Sequence, residues 1–252
     1  MRCGIVRICR VVVAAMLGIA MSTALATPDG QTAGKSLQVE PKQLPNLQIN
    51  REARFVDLEG AVIRRETGNG EWLELLACSP GGPDHESIVV VKAKPSHIHL
   101  GLLMIGLEPG SPMRWQLEGD GVKIRKLATG PRVAVTAIYQ SNQGMVRVPV
   151  NEWVINQTTG RPLKGNIWLF TGSDFRTYEG KRVYLADMSG TVLSLVNFGD
   201  ELLARSTQLT NLSDGEAWGV AKGRIPPVGT KVILRLRPVV EKEREDSAIL
   251  KQ

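Results

Sequence analysis

Apolar and polar residues alternate with a period of two over much of the middle of this chain, the pattern of half-buried β-strands. Val133, Val135, Ala137 and Tyr139 alternate, Ser141-Asn142-Gln143-Gly144 supplies a turn, and Val146, Val148 and Val150 alternate again, which predicts a hairpin. Pro149 has no N–H for a ladder, so the second strand belongs at an edge. Val232, Leu234 and Leu236 oppose Lys231, Arg235 and Arg237, another half-buried strand. Glu71 to Ala77 also reads as a strand, and the apolar run Ile88 to Val91 as one covered on both faces. Tyr184 to Asp187 and Thr191 to Val196, joined by Met188-Ser189-Gly190, read as a second hairpin.

One segment changes period. In PSHIHLGLLMIGLEPG, from Pro95, Ser96 stands as an N-cap before Ile98, Leu102 and Ile105, spaced as on one helix face, and Glu108-Pro109-Gly110 stops the helix. Gly101 inside it costs ~1 kcal/mol relative to Ala, so its position implies close approach of a neighbouring element. Asp200 to Arg205 reads as a second short helical turn. Trp153, Trp168 and Phe170 flank predicted strands and read as core anchors. The fold class is therefore α+β, mainly antiparallel β with one or two short helices, in a single domain.

The two ends read differently. Arg2, Arg7 and Arg10 precede an apolar run from Val11 to Leu25, and Ala24-Leu25-Ala26 offers the small residues of a cleavage site, the signature of a secretory signal peptide. The run is shorter than the roughly 20 apolar residues that span a bilayer. The expected organisation is a signal peptide over residues 1–26, a flexible Pro-containing leader over 27–50, a β-rich domain over 51–240 and a charged tail over 241–252. The expected location is periplasmic or secreted, with no membrane span after cleavage.

Cys3 and Cys9 leave with the signal, so Cys78 has no internal disulfide partner, and one thiol supports neither a Cys-ligated iron–sulfur cluster nor a zinc ribbon. The chain carries 31 Lys and Arg against 25 Asp and Glu, but three of the six net positive charges belong to Arg2, Arg7 and Arg10. No dense basic stripe with interleaved aromatics remains, which excludes a nucleic-acid reading. The small cluster Lys123, Arg125, Lys126 reads as a solvated strand face.

Six stretches, in order, resemble the YdjY-domain family of exported bacterial proteins: His85-Glu86-Ser87; Lys94-Pro95 through Gly106-Leu107-Glu108-Pro109-Gly110; Trp168-Leu169-Phe170-Thr171-Gly172-Ser173; Tyr184-Leu185-Ala186-Asp187; Val196-Asn197-Phe198; and Ile225-Pro226-Pro227-Val228-Gly229-Thr230. The resemblance spans about Glu71 to Pro238 and implies a single domain, with no established activity to carry over. The sequence departs from the family after Phe198, where an acidic, proline-containing stretch is expected and Gly199-Asp200-Glu201-Leu202-Leu203 stands instead.

The candidate chemistry lies between Cys78 and His99. The Gly/Pro-rich loop after Cys78 ends in Asp84, His85, Glu86 and Ser87, and His97 and His99 follow at the helix start. These six polar residues form the candidate binding set. His85, Glu86 and Cys78 are the candidates for catalysis, with His85 as base and Cys78 as nucleophile. Residues two apart on a helix point about 200° apart, so His97 and His99 cannot share a metal there. An extended strand between would separate His85 from His97 by more than about 20 Å. No metal and no cofactor is expected on these grounds. His99 near the helix N-terminus favours a neutral imidazole. Gly172-Ser173-Asp174 lacks the second glycine of a nucleophile elbow and reads as a turn, and no phosphate loop or dinucleotide fingerprint is present. The sequence thus points to a non-enzymatic binding or accessory module whose partner is an envelope protein or small ligand; the alternative is a hydrolase or metal-dependent enzyme using His85 and Glu86 with His97 or His99.

Overall fold

A computed structural model describes residues 44–239, apart from 69, 120 and 213–216. The signal peptide, most of the leader and the charged tail lie outside the described residues. The strands are, in order, β1 (Leu47–Asn50), β2 (Phe55–Val62), β3 (Leu75–Cys78), β4 (Val89–Val91), β5 (Arg114–Glu118), β6 (Gly121–Lys126), β7 (Arg132–Ser141), β8 (Gly144–Pro149), β9 (Val154–Asn156) and β10 (Trp168–Phe170). Then come β11 (Phe175–Tyr178), β12 (Lys181–Tyr184), β13 (Thr191–Ser194), β14 (Leu203–Arg205), β15 (Trp218–Val220) and β16 (Lys231–Pro238). Two α-helices interrupt them, α1 (Pro95–Met104) and α2 (Leu185–Ser189). The protein is β-rich with two short helices.

Eight strands close on themselves in the order β2-β16-β7-β10-β14-β13-β3-β4, because β4 pairs back onto β2. The pairings are antiparallel except β3 with β4 and β13 with β14, which are parallel. β2 serves two neighbours on one edge: residues 55–58 pair with β1 and residues 60–62 with β4. Closure brings Gly60 so near β4 that a Cβ there would lie 2.8 Å from the Val90 carbonyl oxygen, which is why glycine stands at that point.

The wall obeys the alternation. Val232, Leu234 and Leu236 of β16 are buried beside Val56 and Leu58 of β2 and Val133, Val135 and Ala137 of β7. On the outer face Arg235 stands directly opposite Asp57 and donates to both carboxylate oxygens at 2.7 Å, while its guanidinium stacks on Phe55. The hairpin of β7 and β8 forms as expected, with Ser141 opposite Gly144, and among the described residues β8 pairs only with β7. Trp153, Trp168 and Phe170 are fully buried core side chains.

Several local expectations need correction. Residues 47–50, assigned to the leader, form β1, because Leu47 and Ile49 pack against the core. Ser96 does not cap α1: Lys94 is the N-cap and Pro95 the first helical residue. The Ser96 N–H and hydroxyl instead donate to the Asp187 carboxylate of α2, at 2.8 and 2.6 Å, so the acid at the helix N-terminus comes from 91 residues away. α1 stops at Met104 rather than at Glu108-Pro109-Gly110, because left-handed Gly106 (φ 83°) and Leu107 donate back to Leu103 and Leu102. Tyr184 and Thr191 do not form a hairpin. Tyr184 ends β12, which pairs with β11, while Leu185–Ser189 coils into α2 and β13 pairs with β3 and β14. The helical turn expected over Asp200 to Arg205 is absent, and Leu203–Arg205 is β14. Two expectations about α1 are met: Ile98, Leu102 and Ile105 are buried, and Gly101 lies against β2, where its Cβ would sit 3.3 Å from Val56.

β9 pairs with β15, and two further two-stranded ribbons, β5 with β6 and β11 with β12, pair with no other strand among the described residues. Their residues are exposed or half-buried until Tyr184, the last.

Candidate functional site

The polar turn predicted after Cys78 is a single 3₁₀ turn over Asp84–Glu86. It is fixed at three points. Arg64 donates to the His85 carbonyl at 2.5 Å, the Ser87 hydroxyl donates to the Pro83 carbonyl at 2.8 Å, and the Glu74 N–H donates to the Glu86 carbonyl at 3.3 Å. Held this way, Asp84 and His85 point outward, the His85 side chain 71 % exposed, while Nε2 of His85 lies 3.2 Å from Glu86 Oε1. Ser87 is buried, so the fourth residue of the candidate binding set belongs to the turn's foundation and not to its surface.

Sequence reasoning missed Glu74, which lies against Glu86. Partial burial and the Glu86 carboxyl beside it push the Glu74 carboxyl up to about 7. Glu74 therefore takes up a proton close to neutrality. Glu74 is twelve residues from Glu86, and only the meeting of their backbones reveals the pair.

Cys78 is not an activated thiol. It is fully buried at the end of β3, and burial pushes its pKa up, which leaves the unreactive protonated form. The nucleophile of the catalytic expectation is thus out of reach of solvent.

His97 and His99 occupy different surroundings on α1, as their spacing requires. The Nδ1 of His97 is buried without a hydrogen-bond partner among the described residues. His99 packs edge-on against Phe170 and Tyr184, with ring centroids 5.1 and 5.6 Å apart, and its Nδ1 lies 2.8 Å from the Tyr184 hydroxyl. That hydroxyl donates to the Gly172 carbonyl at 2.9 Å. With its own proton committed there, the phenol oxygen accepts from Nδ1–H of His99, which leaves Nε2 as the lone-pair nitrogen. Burial lowers the His99 pKa and raises that of Tyr184, so both stay neutral at pH 7. Desolvation adds to the helix N-terminus in favouring the neutral imidazole.

Gly172 makes this contact possible. It has φ 80°, and a Cβ there would stand 2.3 Å from Pro109 and 3.2 Å from the His99 ring. Ser173 (φ 56°) follows; its hydroxyl donates to the Asp200 carbonyl at 2.5 Å and accepts from the Ala186 N–H at 3.0 Å. The Gly172-Ser173-Asp174 turn is thus a tie between strands, with its hydroxyl engaged. Next to it Glu201 is fully buried. Its Oε2 accepts from the N–H groups of Phe198, Gly199 and Asp200 at 3.0, 2.7 and 3.1 Å, while Oε1 has no partner. Burial pushes the Glu201 pKa up.

His85 and the two helix histidines are not assembled into one centre. No group of three or more His, Cys, Asp or Glu among the described residues is placed to hold a metal ion. A hollow of about 150 Å³ lies between Glu59, Gly60 and Lys92 on one side and Lys231, Val232 and Ile233 on the other. It contains neither candidate cluster and is smaller than the roughly 300 Å³ at which small-molecule pockets begin.

The geometry defines a closed mixed β-barrel with a rigid polar turn on its surface and a packed His–Tyr–Gly tie beneath α1. A family model for the YdjY domain matches residues 47–237, and the chain belongs to that family. Four of the stretches that carry the resemblance, those around His99, Gly172, Tyr184 and Phe198, meet at that tie and the Glu201 loop. Comparison with curated proteins and with solved structures found no match. No helix among the described residues is long and apolar enough to cross a membrane.

Proposed function

We propose that this chain is an exported, non-catalytic binding or accessory module of the cell envelope, folded as one α+β domain and working in the periplasm or outside the cell. Export rests on Arg2, Arg7 and Arg10, the apolar run to Leu25 and the Ala24-Leu25-Ala26 site. The binding reading rests on one observation: the Asp84–Glu86 turn is exposed at its tip yet anchored by Arg64, Ser87 and Glu74. A rigid scaffold presenting a polar tip binds without a large ordering cost. A photo-crosslinking residue placed at 85 is expected to capture one discrete partner in the envelope, and Asp84→Ala should abolish the product. Crosslinks no different from those of a residue placed at 231, on β16, would refute the reading.

A second reading is favoured by the carboxyl pair. Glu74, held near 7 beside Glu86, which in turn lies against His85, has the acid–base range of a hydrolase. It lacks a nucleophile, since Cys78 is buried. Hydrolysis of a chromogenic ester lost on both His85→Ala and Glu74→Gln would favour it over binding.

A further inference from the structure

The two ribbons carry charge out of proportion to their size. Residues 114–126 and 175–184 contain seven Lys and Arg (Arg114, Lys123, Arg125, Lys126, Arg176, Lys181, Arg182) against Glu118, Asp120 and Glu179. Beyond the first 26 residues, the rest of the chain has 21 basic and 22 acidic residues, so the whole positive excess of that part lies on the ribbons. Their bases adjoin: Arg114 at the start of β5 donates to Asp174, just before β11, at 2.5 Å, and also to the Gly199 carbonyl.

The β5–β6 ribbon is also two-faced. Its register sets Trp115 opposite Ile124 and Leu117 opposite Val122 on one face, and Gln116 opposite Lys123 and Arg114 opposite Lys126 on the other. Among the described residues no third strand pairs with this ribbon; on its apolar face Leu117 is 63 % exposed while Trp115, Val122 and Ile124 are half-buried. The neighbouring ribbon exposes Phe175 and Tyr178, with Arg182 stacked 4.2 Å above the Phe175 ring. A two-stranded ribbon is marginal alone in water and is stabilised by something against its apolar face. Trp, Tyr and Phe beside Lys and Arg are the residue set of a bilayer interface, where rings enter the headgroup layer and long cations reach lipid phosphates.

We propose that the β5–β6 and β11–β12 ribbons form a peripheral docking surface for an anionic lipid bilayer. This goes beyond the binding role assigned to the Asp84–Glu86 turn, uses none of its residues, and stands or falls separately from it.

The test is co-sedimentation of the full chain with phosphatidylcholine vesicles and with vesicles about a third phosphatidylglycerol. All variants share the N-terminal segment, so any contribution from its apolar run is common to them. Wild type should bind the anionic vesicles roughly tenfold better than the neutral ones, and Lys123→Glu with Lys126→Glu should remove roughly tenfold of that. Leu117→Asn with Phe175→Ser, which leaves charge unchanged, should also weaken binding, whereas Arg224→Glu with Lys231→Glu, exposed and off the ribbons, should not. An unchanged melting temperature confirms that each variant folds. Equal binding to both vesicles, no binding, indifference to the ribbon variants, or equal loss in the off-ribbon variant overturns the proposal. So does displacement by soluble polyglutamate with no effect of the Leu117 and Phe175 changes, since that would assign the ribbons to an acidic macromolecule.

Discussion

The wall formed by β2, β16 and β7 and the ribbon formed by β5 and β6 are built from the same local pattern, antiparallel strands with alternating apolar and charged side chains. Leu234 in the wall is fully buried, and Leu117 in the ribbon is largely exposed. The difference lies in what stands behind each strand. β16 has a ladder on both edges and a closed core beneath it, while β5 has one strand partner among the described residues and is half-buried at best. Alternation therefore specifies a face, and tertiary closure decides whether that face is core or contact surface.

The largest effect should come from breaking the wall. Leu234→Ala is expected to lower stability by roughly 2–5 kcal/mol as a core truncation, and Leu117→Ala to change it by less than about 0.5 kcal/mol. Denaturant unfolding measures both, and comparable losses would erase the distinction between the two regions. Next comes Gly172→Ala, which adds a Cβ into Pro109 at a positive φ; a loss of about 1–3 kcal/mol is expected. It should also shift the ring resonances of His99, because the Tyr184 contact cannot survive the displacement.

The smallest effect is a pH dependence that belongs to the turn. Glu74 ionises at about 7 in the folded chain, against 4.5 as its ordinary value. The folded state thus holds a proton that the unfolded state releases, so this stabilisation is complete below 4.5 and is lost as the pH rises through 7. The melting temperature should fall over that window, and Glu74→Gln should flatten the fall. Asp84, His85 and Glu86 lie together on the turn, and Arg64, paired with Glu71, ties it down through the His85 carbonyl. A slope unchanged in Glu74→Gln would place the proton elsewhere.

How much was legible in the sequence follows from the range of each interaction. β16, the β7–β8 hairpin and the body of α1 show in the local pattern because their burial repeats with their own period. α2 was hidden because Leu185 to Ser189 is one short turn held by Asp187 to Ser96 and Ser173 to Ala186, contacts that span 91 and 13 residues. Ring closure was hidden too, since the pairing of β2 with β4 and the parallel step from β13 to β14 leave no mark in either strand alone. Of the site, the turn at Asp84 to Ser87 was visible as a polar cluster, but its second carboxyl was not. Tyr184, Gly172 and Glu201 were read as parts of a hairpin, a turn and a helical turn, and the meeting of Tyr184 and Gly172 with His99 is a product of the fold.

The most direct test of the account, a rigid barrel holding out unsupported contact elements, is amide hydrogen exchange along the whole chain, free and with anionic vesicles. In the free protein β2, β7 and β16 should exchange slowest, through global unfolding, and β5–β6 and β11–β12 fastest among the strands, through local opening. Vesicles should slow exchange in the two ribbons and leave the barrel unchanged. Ribbons as protected as β16 in the free protein, or protection on vesicles appearing in the barrel strands instead, would contradict it.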